Sequence, residues 1–407
     1  MSKNRAWRLG ASFALLALGI EFLDELVDGV SGAAWPLIRA DLKLSYTDIG
    51  VLLTLPGLMA NLIEPLFGLL ADAGRRRALI LGGGLVYAAA LGSMAVSGGF
   101  WTLLAGLLLY HPAAGAFVSL TQAAWMDADP ARREHNMARW TLAGSLGNVV
   151  GPLLIGAAAA LHLGWRFVFV LLAALFFGSV LLAFRARALQ EPLSETEVAS
   201  PHQPLPTPPP ADVRATLREA LAALRRGEVR TSLWLLECGN LMLDVFRGLV
   251  GLYFVDVVGT SAGGAALATF VLTGVGLIGD ALLLPLLGRV SSLRYLRLSA
   301  ALSAALFPAF LLLPGLITKL ALLGAVGFLN AGWYAILQAR LYASLPGRSG
   351  VALALGNLAG LLGGLAPLLL GVVAERFGLT AALWLLLLGP LALLRGLPAP
   401  HPRFSDR

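Results

Sequence analysis

The chain reads as an all-α membrane protein, with twelve transmembrane helices forming two parallel-related six-helix bundles. Three observations predict this. Of its 407 residues, 58% are hydrophobic and only 13% charged, against about 25% charged in ordinary soluble domains. Apolar runs of about 20 residues, the length that crosses a bilayer, recur from end to end. A constant offset of 216 residues also lays one half of the chain on the other. It pairs Glu21 with Glu237, Asp24 with Asn240, Asp28 with Asp244, Glu64 with Asp280 and Gln122 with Gln338. The first pair defines the offset, and the others are free to disagree with it.

Taken in order, the spans are expected at 10–35, 46–71, 78–97, 101–126, 138–162 and 166–184, then at 231–258, 263–288, 298–316, 319–344, 350–374 and 379–396. The first run is too long and too acidic for a cleavable signal peptide, so it is expected to remain as a span. Outer loops are short and carry turn residues such as Ser97-Gly98-Gly99. Trp35, Trp101 and Trp165 fall near span ends, where an aromatic belt is expected.

Domains are therefore expected at 1–184 and 231–407, joined by 185–230. The linker contains PHQPLPTPPP, too rich in proline to pack. After it, Val213, Leu217, Leu221 and Leu224 form an apolar stripe with Arg214, Arg218 and Arg225 off it, as in a helix lying on a membrane surface. A plain tether is the alternative.

Net charge is +7. Most Lys and Arg lie at the termini and on one set of loops, including Arg75, Arg76, Arg77, Arg132, Arg133, Arg289 and Arg348. Arg39, Lys43, Arg166, Lys319 and Arg376 are on the other side. This asymmetry places both termini in the cytoplasm, in a bacterial-type inner membrane, and accounts for the basic charge without nucleic acid. The single Cys238 excludes an intrachain disulfide and a cysteine-built metal cage. No phosphate-binding loop, zinc-ligand spacing or supported Ser/His/Asp arrangement is present, so neither an ATP-driven pump, a metal site nor an enzyme is expected.

The chemistry concentrates in LGIEFLDELVDGVSGAAW (18–35). Glu21, Asp24, Glu25 and Asp28 fall within an arc of roughly 100° on one helical face. A carboxylate at mid-bilayer costs several kcal/mol. The four must face a polar cavity or share protons or a cation. Salt bridges to other helices are the structural alternative, but the intramembrane basic groups available are only Arg247 and His111.

Span 7 repeats the pattern, with Glu237, Asn240, Asp244 and Arg247 inside a similar arc. Arg247 reads as a neutralising partner for an acid or as an anion anchor. Gln122, Gln338 and Asn330, with Trp333 and Tyr334, are candidates for the substrate cavity, the aromatics having packing as their alternative. Glu64 and Asp280 are expected near the basic loops, in networks with Arg75–Arg77 or Arg289. Asp72 with Arg75 and Arg76 reads as a gate latch, and Asp127 as a loop partner of Arg132 or Arg133. Gly144, Gly147, Gly151, Gly360, Gly363 and Gly364 allow close helix contact and are expected to let the two halves pack and rock.

GLLADAGRRRAL (68–79) resembles the G-x-L-A-D-R-x-G-R-R signature of the major facilitator superfamily, without the Arg after Asp72 and one residue short before Gly74. GNVVGPLLIG (147–156) is similar to that superfamily's antiporter motif, with Ile155 in place of a glycine. FLDELVDG (22–29), PLI (36–38), LSYTDIG (44–50) and EPLFGLLAD (64–72) resemble the amino-terminal region of the fosmidomycin-resistance efflux group, which has His, Asn and Gln where this chain has Glu21, Asp24 and Asp28. The resemblance implies alternating access, spans 1 and 7 facing one central cavity, and exchange rather than symport.

The expected function is therefore proton-coupled antiport exporting small cationic or amphipathic molecules. Glu21, Asp24, Asp28, Glu25, Glu237 and Asp244 would carry coupling, with a proton or sodium as coupling ion, no other cofactor, and a monomer in the lipid bilayer. Glu25 is the weakest member, because its counterpart is the apolar Leu241. Cation-coupled symport of a polar solute is the alternative within transport. A non-transporting receptor and a lipid scramblase are the alternatives outside it.

Overall fold

The computed structural model describes residues 3–128, 132–185, 222–287, 290–345 and 349–397. Twelve helices account for them. They are α1 (Lys3–Leu42), α2 (Tyr46–Leu70, prolonged by a π-helical turn over Ala71–Arg75), α3 (Arg76–Ala95), α4 (Phe100–Asp127), α5 (Arg133–Ala160) and α6 (Gly164–Arg185). Then come α7 (Gly227–Asp256), α8 (Ala262–Leu287), α9 (Ser292–Leu312), α10 (Leu316–Ala343), α11 (Ser349–Gly363 and Ala366–Phe377) and α12 (Leu379–Gly396). Eleven are long and apolar enough to cross a membrane; the twelfth, α1, is long enough but carries the acids. The linker and its amphipathic helix lie almost wholly outside the described residues.

Two compact units emerge. The first comprises Met1–Ser31, Leu55–Leu154 and Leu161–Thr216; the second comprises Gly32–Thr54, Ile155–Ala160 and Leu217–Arg407.

In the first unit, α3 packs against α4 and α6. Small residues let the backbones meet, as interhelical packing in lipid requires. A Cβ on Gly83 would stand 2.6 Å from the Ala116 Cβ, and one on Gly84 2.5 Å from Val180. The aromatic core joins Tyr87 to Phe176 at 3.9 Å between ring centroids and to Tyr110 at 4.9 Å.

In the second unit, α8 packs on α7 and α10, and α9 on α10 and α12. Its core is the aromatic group Phe246, Tyr253, Phe254, Phe307 and Phe310. Lys319, placed by sequence at the outer end of the span 319–344, is buried here. Its Nζ donates to the Phe310 carbonyl (2.7 Å), the Leu311 carbonyl (3.3 Å) and the Tyr253 hydroxyl (2.8 Å). It thus serves the orphan carbonyls at the end of α9 and the negative end of that helix's dipole.

Of the helices that depart from regular geometry, three do so near candidate cavity residues. The first is α4, which forms a π-helical turn over Gly115–Ser119 just after Pro112, whose ring cannot donate into the ladder. The second is α7, with a π-helical turn over Leu241–Val245. The third is α10, which breaks at Ala331–Gly332, where Gly332 takes φ +69°, a left-handed conformation that glycine adopts without strain. Sequence reads 319–344 as continuous; one glycine in an apolar run does not announce a break.

The belt expectation changes in part. Trp101 is exposed, but Trp35 and Trp165 are buried. Proximity to a span end does not fix which face of the helix a side chain occupies.

Candidate functional site

The four acids of α1 are gathered in the first unit, each beside a donor from a different stretch of chain. The Tyr87 hydroxyl of α3 donates to Asp24 Oδ1 at 2.6 Å. The Tyr110 hydroxyl of α4 donates to Asp28 Oδ1 at 2.8 Å. Asn148 of α5 donates from Nδ2 to Glu25 Oε2. The Trp140 indole, also on α5, hydrogen bonds to Glu21. Among the described residues no ion pair reaches Glu21, Asp24 or Asp28. His111 lies within electrostatic range of Asp28, its ring edge-on to Tyr110 at 4.7 Å.

The glycines of α5 make this packing possible. A Cβ on Gly144 would stand 2.6 Å from Glu21 Oε1, and one on Gly151 would stand 2.5 Å from backbone atoms of Gly29 and Val30. Gly147 meets the Phe22 carbonyl and Leu26 nitrogen in the same way. These glycines therefore seat α5 on α1 within one unit, which corrects their expected use between the halves.

Glu64 also belongs to this neighbourhood. Sequence places it beside Arg75–Arg77, but α2 continues as helix to Arg75, putting those arginines roughly 16 Å further along the axis. Its carboxylate instead lies against Gly115, where a Cβ would stand 2.7 Å from Oε1, and it is within electrostatic range of Asp24. The Asp72 side chain lies outside the described residues. Arg75 is exposed. Arg76 bonds to Asp127 at 2.8 Å; the Arg133 side chain, one of the two expected partners of Asp127, lies outside the described residues.

The second unit arranges its polar residues differently. Arg247 pairs with Asp244 at 3.2 Å on the same helix, as its neutralising reading expected. Glu237 lies against Gly363 of α11 and has no hydrogen bond or ion pair among the described residues. Asp280 accepts the Gly332 backbone N–H at 2.8 Å, while the Tyr295 hydroxyl donates to the Ala331 carbonyl at 2.9 Å. The break in α10 is thereby satisfied from α8 and α9; Arg289, the expected neighbour of Asp280, lies outside the described residues.

Of the candidate cavity residues, Asn330 and Trp333 do not border open space. Trp333 is 0% exposed with its indole N–H on Ser299 (2.8 Å), and Asn330 accepts from Ser303 and donates to the Met242 carbonyl. Tyr334, on the opposite side of that turn, is 54% exposed. Gln122 makes one weak contact, to Met137 Sδ at 3.6 Å. Asn240 Oδ1 and Gln338 Oε1 are buried oxygens without a hydrogen-bond partner.

Tyr87, Tyr110, Trp140 and Asn148 were not singled out from sequence. Their signal was present: polar-tipped side chains within apolar spans, where an unpaired hydroxyl or amide is costly.

The family model described as Major Facilitator Superfamily matches residues 17–367. The chain belongs to the major facilitator superfamily. Members of that superfamily are multi-pass membrane transporters rather than enzymes, and the chain is one of them. A chloramphenicol resistance protein of Pseudomonas aeruginosa is 33% identical over 174 residues, 42% of this chain and 41% of that protein. The chain spans less than half the length of the curated relatives it matches.

Among solved structures, a bacterial homologue of the human lysosomal transporter Spinster superposes over 98% of this chain and 95% of its own, with 16% identity and a TM-score of 0.69. The nucleoside transporter NupG does so over 95% and 97%, with 13% identity and a TM-score of 0.72. At these identities the likeness is one of fold. It agrees with the twelve-helix arrangement described above, the transporter fold of the superfamily.

Proposed function

We propose that this superfamily member is a proton-coupled antiporter that exports small cationic or amphipathic molecules by alternating access. The observation that carries the reading is the set of acids on α1, with Glu21, Asp24 and Asp28 held by neutral donors instead of cations. A carboxylate fixed by an arginine is locked in its ionised form. One fixed by a tyrosine hydroxyl keeps its place while exchanging a proton for a cation on its free oxygen. Asp28 is the most exposed of the four, so it is the member a substrate meets first. Asp24 lies one turn away beside Tyr87, and Glu21 and Glu25 lie against α5.

Exchange follows from competition. A substrate ammonium on Asp28 expels the proton bound there to the aqueous side; a returning proton expels the substrate. Neither ligand leaves without the other arriving, so an inward proton gradient drives export. The name of the curated relative, a resistance protein, supports the outward direction. The loop charges support both termini in the cytoplasm; a bacterial-type inner membrane and a working monomer belong to the same proposal.

The test is substrate-induced proton release in reconstituted vesicles. Asp28→Asn keeps an acceptor for Tyr110 but cannot hold an exchangeable proton, so release is expected to fall to background. Release at the wild-type level in this variant would exclude Asp28 as the exchange site. Uptake stimulated by an inward proton or sodium gradient would replace antiport with symport.

A further inference from the structure

Within the second unit, α7, α11 and α12 enclose a cavity of about 530 Å³. That volume suits a small organic molecule. Its walls are mostly leucine and otherwise mainly apolar, and its rim includes Trp234 (66% exposed), Leu362 (75%) and Leu388 (58%). An opening rimmed by exposed apolar side chains on membrane-spanning helices is entered from hydrocarbon. Asp244, Asn240 and Arg247 do not line it.

One acid does. Glu237 faces this space without a hydrogen bond or ion pair among the described residues. Arg230 is at the mouth, two helical turns or about 10 Å along α7 from Glu237, and makes no ion pair with it. Gly363 makes room for the carboxylate, since a Cβ there would overlap Glu237 Oε2. A groove built only for a lipid tail has no use for a carboxylate at its base. In apolar surroundings that group gains most from a donor that brings its own positive charge.

We propose that this pocket binds lipophilic ammonium ions, the hydrocarbon body among the leucines and the N–H groups on Glu237. Gly363 is the positioning residue that lets the carboxylate reach the pocket. The inference rests on the antiport reading only for the ligand's later fate, because binding needs no gradient.

The experiment places the full chain in nanodiscs of phosphatidylcholine and follows quenching of tryptophan fluorescence by 11-bromoundecylammonium and by 11-bromoundecanol. The fraction lost in Trp234→Phe identifies the pocket's signal. The ammonium is expected to reach half-quenching at a concentration at least 10-fold lower than the alcohol. Glu237→Gln should erase that preference, and Gly363→Ala, which retains the acid but displaces it, should reduce it.

All variants share one bilayer, so probe partitioning cancels. Equal quenching by both probes in the wild type would overturn the proposal and make the cavity a lipid-tail groove, and so would an unchanged preference in Glu237→Gln. Ammonium preference without proton exchange would sink the antiport reading alone; proton exchange without ammonium preference would sink this one alone.

Discussion

The two units carry matching acids and treat them differently. In the first, Glu21, Asp24, Glu25 and Asp28 each meet a neutral donor on α3, α4 or α5. In the second, Asp244 is paired with Arg247, Asp280 is spent on a backbone N–H, and Glu237 stands alone. The placement is shared: Glu21 and Glu237 each lie against a glycine of the fifth helix of their six, Gly144 and Gly363. Glu64 and Asp280 each face the point where the fourth helix loses regularity, Gly115 and Gly332. The acids sit in corresponding places in the two units, while the partners that define their chemistry differ. On the proposed antiport reading, proton exchange belongs mainly to the first unit.

The largest expected effect tests that asymmetry directly. If exchange resides in the first unit, Asp28→Asn should abolish substrate-induced proton release, whereas Asp244→Asn should leave a measurable fraction, because Asp244 is already paired with Arg247. Equal losses in the two variants, measured in the same vesicle assay, would show that both units share the coupling step.

Next in size are the glycines. A Cβ on Gly151 meets backbone atoms of Gly29 and Val30 at 2.5 Å, and neither helix can yield locally. A Cβ on Gly363 meets only the Glu237 side chain, which can rotate away. Gly151→Ala is expected to cost about 1–3 kcal/mol as an overpacking change, and Gly363→Ala less than about 1 kcal/mol by the same reasoning. Thermal unfolding of the two variants in one detergent orders them; the reverse order would contradict the packing described for α1 and α5.

How much of this was legible in the sequence depends on which force did the writing. The bilayer demands long apolar runs, so eleven of the twelve expected spans reappear as long apolar helices, while α1 runs seven residues past its expected bounds at each end. Helical periodicity puts Glu21, Asp24, Glu25 and Asp28 on one face without any knowledge of neighbours. Their donors were hidden because contact between α1 and Tyr87, Tyr110 or Asn148 is a tertiary fact, and a tyrosine in a span reads first as an aromatic. Asn330 and Trp333 share a helical face with each other, but nothing local says that it turns into their own bundle. Glu64 was misplaced because the end of α2 was drawn too early. The isolated state of Glu237 has no local signature, since its neighbours in the cavity come from α11 and α12, more than a hundred residues away.

The break in α10 offers an intermediate effect. Asp280→Ala removes the acceptor for the Gly332 N–H, a loss of about 0.5–1.5 kcal/mol for one partly exposed hydrogen bond. Asp280→Asn retains an acceptor oxygen and should be close to wild type. Hydrogen exchange at Gly332 should speed up in the first variant and not in the second. The equivalent change in the first unit, Glu64→Ala, removes no backbone bond shown in the structure, so exchange near Gly115 should respond less.

The smallest effect belongs to an ion pair at helix ends in the second unit. Asp256 receives Arg39 at 2.9 Å and the Tyr46 hydroxyl at 2.8 Å. Glu375 accepts the Tyr46 backbone N–H at 2.7 Å. The Arg39 and Asp256 side chains remain 28% and 24% exposed, so screening keeps the pair within the usual range of at most about 1 kcal/mol. Asp256→Asn preserves an acceptor for Tyr46 and should lower stability by less than that, with the loss shrinking further as salt is raised. Tyr87→Phe, by contrast, leaves one oxygen of Asp24 without its donor inside the span, where interhelical hydrogen bonds average about 0.6 kcal/mol and reach about 1.7. Its effect should be insensitive to salt. Salt titration of the two unfolding transitions separates ion pairs at the ends from neutral hydrogen bonds within the span; a salt-sensitive loss in Tyr87→Phe would mean that Asp24 is held by a charge instead of a hydroxyl.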